Sequence, residues 1–168
     1  ATAATPRPSW DSNHFSGSPH PPAPYAVERI HPHAQFREAT DAAFAPGTSW
    51  LFVSQQDGKF FAFDAAKSAD SPRLVLDLRA TGRAVDNVLG FTFHPGFATN
   101  RFVFINYNGP GNVTNSAYVS RFTVTSFDPP TLDPTTERVV IRWPGGGHNG
   151  CGLVFGPDGM LYISTGDA

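Results

Sequence analysis

The sequence holds a single cysteine and a single methionine in 168 residues. One thiol cannot close an internal disulfide, so cysteine usage leaves the redox compartment open. Charge is sparse too: charged residues make up 15% of the chain, the net charge is -2 and the pI is near 6.3, which leaves no basic footprint for nucleic acid. No apolar run approaches the roughly 20 residues of a membrane-spanning helix. The start lacks a basic segment followed by an apolar one. Ala1 to Pro6 instead reads as what remains after a signal peptide is removed or the chain is trimmed, with a periplasmic or secreted location as the matching expectation.

What is abundant is equally informative. Fifteen phenylalanines stand beside 16 glycines and 16 prolines, a composition of short strands punctuated by turns rather than of long helices. The expected class is all-β. Residues 1-24 are rich in Pro, Ser, His and Asn without periodicity and read as an extended arm or linker, with residues 25-168 as the folded part. His14 and His20 lie in that arm without metal-ligand spacing, and solvated loop histidines are the expectation for both. Tyr25 to Ile30 alternates weakly enough for a strand, which His31-Pro32-His33 would end.

From there the chain repeats itself. Phe44-Ala45-Pro46-Gly47 leads into Trp50 to Ser54, Phe93-His94-Pro95-Gly96 into Phe102 to Ile105, and Phe155-Gly156-Pro157-Asp158-Gly159 into Leu161 to Ser164. The prolines recur at intervals of about 50 to 60 residues, the scale of a propeller blade built from four short strands. The first unit, about 41-78, has expected strands at 41-44, 50-54, 60-63 and 73-78, with Gln56 to Lys59 as a hairpin turn. The second, about 89-143, has them at 89-93, 102-107, 118-125 and 138-143. The third, 153-168, offers only 153-155 and 161-164 and is incomplete. The reading is a β-propeller fragment of about two and a half four-stranded antiparallel blades, a piece of a longer protein, since open strand edges invite pairing. A two-sheet sandwich of the same strands, or an oligomer that completes the ring, are the alternatives.

The candidate site is the glycine-rich stretch after Trp143. Gly145 to Gly147, Gly150 and Gly152 surround His148, Asn149 and Cys151, so a small molecule can approach the backbone closely around one titratable side chain. A neutral imidazole near pH 7 accepts a proton without large tuning. His148 could equally be a loop histidine bonded to backbone, and Asn149 could serve only to tolerate a left-handed backbone. Asp167 reads either as a rim residue that orients a ligand or as a turn residue. His94 is expected to cap its turn, and Arg121 to sit on a blade strand as a salt-bridge partner. Asn112-Val113-Thr114 fits a glycosylation acceptor, relevant only on a eukaryotic secretory route.

Several of these motifs occur together and in order: Val88-Leu89-Gly90-Phe91-Thr92-Phe93-His94-Pro95-Gly96-Phe97, then Ser120-Arg121-Phe122, His148-Asn149-Gly150, Leu153 to Gly159, and Tyr162 to Asp167. This combination resembles the soluble quinoprotein sugar dehydrogenases of the glucose/sorbosone dehydrogenase family, over nearly everything but the arm. The resemblance implies a six-bladed propeller that holds pyrroloquinoline quinone (PQQ) near its central channel with calcium assisting, the calcium ligands lying outside this chain. It also implies oxidation of the anomeric hydroxyl of a sugar to a lactone, with an external electron acceptor or a fused cytochrome c. In that pattern His148 is the general base, and Gly147, Asn149 and Asp167 fall at cofactor-binding positions.

The chain departs from the pattern at three places. A polar residue is usual two positions before the Gly-Leu-Leu-Gly stretch, a region that here reads Arg83-Ala84-Val85-Asp86-Asn87. Gly147 stands where Asp commonly precedes the histidine, and Cys151 where a second glycine follows. These losses favour a second reading, a non-catalytic propeller module that binds protein or carbohydrate partners.

Overall fold

In a computed structural model the described residues are 28-111, 114-145, 148-150 and 152-166. They form ten strands in three antiparallel sheets, each laid out in sequence order. The first sheet contains β1 (Ala39–Phe44), β2 (Trp50–Gln55), β3 (Lys59–Asp64) and β4 (Arg73–Asp77). The second contains β5 (Asn87–Phe93), β6 (Phe102–Asn108), β7 (Ala117–Phe127) and β8 (Pro130–Trp143), with a one-turn helix α1 (Phe97–Asn100) between β5 and β6. β9 (Gly152–Phe155) and β10 (Leu161–Ser164) form a two-stranded third sheet.

Contacts between the sheets decide the architecture. The first strands pack side by side, β1 against β5 and β5 against β9, while the outermost strands β4 and β8 also meet. Sheets that touch first strand to first strand and last strand to last strand fan out around an axis, as propeller blades do, rather than stacking as a sandwich. The innermost strands are also tied directly, because the Phe91 amide donates to Asp41 Oδ2 at 3.1 Å.

Phenylalanine supplies most of the seam between the first two blades. Phe52 meets Phe93 edge-on at 5.3 Å, Phe60 meets Phe91 at 5.6 Å, and Phe97 of α1 closes on Phe93 at 4.8 Å. Ile105, Tyr107, Phe122, Val124 and Leu132 complete that core from the second sheet. Burying a large apolar side chain contributes about 1.5–3 kcal/mol, so this seam is the main stabilising feature of the fold. Strand β6 reads Phe-Val-Phe-Ile-Asn-Tyr-Asn without alternation because both its faces are covered. The second seam is smaller: the His94 ring meets Phe155 at 5.1 Å, and Phe104 meets Phe155 at 5.3 Å.

Three expectations need correction. Residues 25-27 lie outside the described residues, and Glu28 to Ile30 form no strand. The outer strand of the second blade begins at Pro130, not at residue 138. Pro130 and Pro134 interrupt the strand pattern of that segment. An outermost strand needs only one edge for pairing, and the ladder slips between Arg121 and Thr123, where the Thr136 hydroxyl accepts from the Thr123 amide at 2.9 Å in place of a carbonyl. Third, Arg121 makes no salt bridge among the described residues; its guanidinium lies 4.0 Å from the centre of the Phe102 ring. The arm 1-24 and Asn112-Val113 lie outside the described residues.

Candidate functional site

Antiparallel alternation sends every second connection to the same end of the blades. The β2–β3 turn, the β4–β5 connection, the β6–β7 loop and the β8–β9 loop that carries His148 therefore share one end, called the upper face here. Contacts across that face agree. The Val88 amide donates to the Gln56 carbonyl at 3.0 Å, the Asp86 amide to the Asn108 carbonyl at 2.8 Å, and the Gly109 amide to the Ser116 carbonyl at 2.7 Å. Gln56 Nε2 donates to Asn87 Oδ1 at 2.5 Å, linking the first two blades.

His148 is exposed on this face and Asn149 is half-buried. Gly147 and Asp167, the other two candidate residues, lie outside the described residues, as does Cys151. The loop rests against the chain that leaves β10. A Cβ on Gly166 would collide with the His148 carbonyl, and one on Gly150, at φ +49°, would come within 2.8 Å of the Gly166 nitrogen. The two glycines let two backbones approach closely beside His148. Below them, the Gly152 amide donates to the Ser164 hydroxyl at 2.7 Å.

Val85 is 5% exposed and belongs to the core between the first two blades, so this position adds no polar group to the upper face. Its carbonyl accepts from Arg79 Nε at 2.8 Å. Next to it stands a network that sequence reasoning missed. Arg83 grips Glu137 through Nε at 2.8 Å and through a second, shorter contact, and the Tyr107 hydroxyl donates to the other Glu137 oxygen at 2.6 Å. Burial, then the Glu137 hydrogen bond, hold the Tyr107 phenol well above its ordinary titration range. For Arg83 burial, the largest single influence, acts the other way, but the hydrogen bond to Glu137 together with the nearby charges of Tyr107, Glu137 and Tyr118 outweighs it and raises the guanidinium further. The network fastens the β4–β5 connection to the second blade. Its members are too far apart in the chain for any spacing rule to reveal them.

His94 sits at the opposite end. Its Nδ1 accepts from the Gly96 amide at 2.8 Å and lies 2.8 Å from Asn100 Nδ2, so it caps the turn into α1 as expected. The described surface includes two cavities. One of about 600 Å³ lies between β4 and β8, lined by Leu74, Leu76, Leu132 and Pro134 among others, with no residue from the His148 loop. The other, about 230 Å³, lies on the upper face between Arg83, Gly109, Ser116 and Tyr118. Among the described residues no cluster of His, Cys, Asp or Glu could hold a metal, and no helix is long and apolar enough to cross a membrane.

Blades fanning from a common axis, with a glycine-framed imidazole on the upper loops, define a sector of a β-propeller. Comparison with known proteins narrows this further. The family model for glucose/sorbosone dehydrogenase matches residues 36–168, and the chain belongs to that family. Among solved structures it is similar to the PQQ-bound form of an aldose sugar dehydrogenase from Streptomyces coelicolor, at 23% identity and TM-score 0.67, covering 84% of this chain and 41% of that one. It is also similar to two glucose dehydrogenase structures, at 22% and 23% identity and TM-scores of 0.57 and 0.58, each covering 77% of this chain and 38% of the other. The chain thus spans about two fifths of the length of these structures.

Proposed function

We propose that this chain is the N-terminal part of a PQQ-dependent sugar dehydrogenase that oxidises the anomeric hydroxyl of an aldose to a lactone, acting in the periplasm or outside the cell. The observation that carries the reading is the His148 loop: an exposed imidazole on the upper face, its backbone held by Gly166, in a chain of the glucose/sorbosone dehydrogenase family. The aldose sugar dehydrogenase it is similar to was solved with PQQ bound. A nitrogen of His148 takes the hydroxyl proton as the C–H bond breaks. The quinone, when bound, supplies the hydride acceptor.

The described residues fit part of that cofactor. The backbones of the His148 loop and of the β10 exit approach closely at Gly150 and Gly166; by the family pattern Asn149, together with Gly147 and Asp167 outside the described residues, stands where the quinone would be held. The quinone is a polyanion, whereas Arg83, the cation nearest the upper cavity, is already engaged by Glu137. The cations that grip the quinone, and the calcium ligands, are therefore assigned to other parts of the protein. Electrons then pass to an external acceptor or a fused cytochrome c.

A second reading, a propeller module that binds partners without catalysis, is favoured by one observation: Val85, where a polar residue is usual, is committed to the core. Titrating the full-length protein with PQQ and calcium and following dye reduction with a panel of aldoses separates the two. Saturable quinone binding with aldose-dependent reduction is expected. No quinone binding would establish the module instead.

A further inference from the structure

The two faces of the second blade differ in kind. Toward the first blade the seam is aromatic and aliphatic. On the other face, toward β9, alternate residues of β6 place Phe104, Asn106 and Asn108 in a row, with Arg121, Val119 and Ala117 as their partners on β7. Phe104 marks the direction, since its ring meets Phe155 of β9.

This face contains polar atoms sealed from solvent. Asn106 is 1% exposed and Asn108 7%. Both polar atoms of the Asn106 side chain, the Asn108 Oδ1 and the Arg121 Nε are buried without a protein partner. The remaining Asn108 nitrogen makes only a long contact, 3.4 Å, to the Gly109 carbonyl. A buried donor or acceptor left unsatisfied costs about as much as a hydrogen bond contributes, and here four such atoms lie on adjacent rungs of one sheet face.

The chemistry of the row selects its occupant. Asn106 Nδ2 and Arg121 Nε donate, while Asn106 Oδ1 and Asn108 Oδ1 accept. A cation would satisfy only the acceptors and an anion only the donors. Water does both, and internal waters make two to four hydrogen bonds to otherwise unpaired buried groups. Asn106 and Asn108 stand two residues apart on one strand, about 6.6 Å, a span that one or two waters bridge.

We propose that the seam between the second and third blades is a hydration site: a short file of ordered water runs from Arg121 Nε past the Asn106 side chain to Asn108 Oδ1, and couples β9, the strand entered from the His148 loop, to β6. The site stands whatever chemistry His148 performs. Asn106 and Asn108 are positioning residues for that strand.

The test compares the full-length protein with its Asn106→Leu variant, which keeps the branched side-chain skeleton and removes the polar atoms. A hydrated site predicts that the unfolding equilibrium shifts toward the unfolded state by about tenfold or more, and that backbone amides from Leu153 to Phe155 exchange faster. An orphaned amide predicts the reverse, a variant at least as stable as the parent with unchanged exchange, and that result overturns the proposal. Should Asn106→Leu fail to fold, a high-resolution crystal structure of the parent decides. Ordered water bonded to Asn106 supports the site; a dry seam, a metal ion, or a loop peptide bonded directly to Asn106 contradicts it.

Discussion

Two histidines show how much one residue's surroundings determine. Phe-His-Pro placed His94 at a turn, and the fold holds it there: its Nδ1 is engaged by Gly96 and Asn100 and its ring is wedged between Phe104 and Phe155. His148 was legible as a candidate because glycines surround it, a local signal. The Arg83–Glu137–Tyr107 network was not legible, since it joins loops and strands from distant parts of the chain through side chains alone. It carries a pH signature. An unfolded chain ionises a tyrosine near pH 10, whereas burial and Glu137 let folded Tyr107 keep its proton to higher pH. Its contribution to stability is therefore complete below about pH 10 and is lost as pH rises beyond that. Urea unfolding from pH 8 to 11 should show stability falling along the alkaline limb, with a shallower fall in Tyr107→Phe. An identical slope in both proteins would remove the assignment.

Among the elements, those that alternate or run apolar could be read from the sequence, and those held by side-chain substitution could not. β2, β3, β6, β9 and β10 coincide with their expected strands to within a residue or two, because aromatic and β-branched residues leave few other options. β8 was half missed, since Pro130 and Pro134 interrupt its first half, which is joined to β7 through the Thr136 hydroxyl and slips in register. The contact between the β8–β9 loop and the exit of β10 was likewise invisible in sequence, although the glycines that permit it stand out there. Gly166→Ala tests it. The added methyl meets the His148 carbonyl and must push the loop away. The variant should remain folded by circular dichroism and lose dye-reduction activity by about tenfold or more, since misplacing a catalytic group by about 1 Å costs on the order of a hundredfold. Unchanged activity would show that this contact does not position His148.

For the whole molecule, the repeat of Phe-x-Pro motifs was sufficient to predict an all-β propeller sector, and the first-strand and last-strand contacts between sheets agree with it. The chemistry of the upper face is less complete, because Gly147 and Asp167 lie outside the described residues and the chain spans about two fifths of the solved dehydrogenases it matches. One base, presented by one loop, is the share of the chemistry proposed for this chain. The most direct measurement is the maximal rate of aldose-dependent dye reduction by full-length, PQQ-loaded protein carrying His148→Ala, beside the parent and His94→Ala. A loss of about 10²–10⁴-fold is expected for His148→Ala with quinone still bound, and a near-parental rate per folded molecule for His94→Ala. A His148→Ala enzyme that turns over like the parent would contradict the assignment of the base.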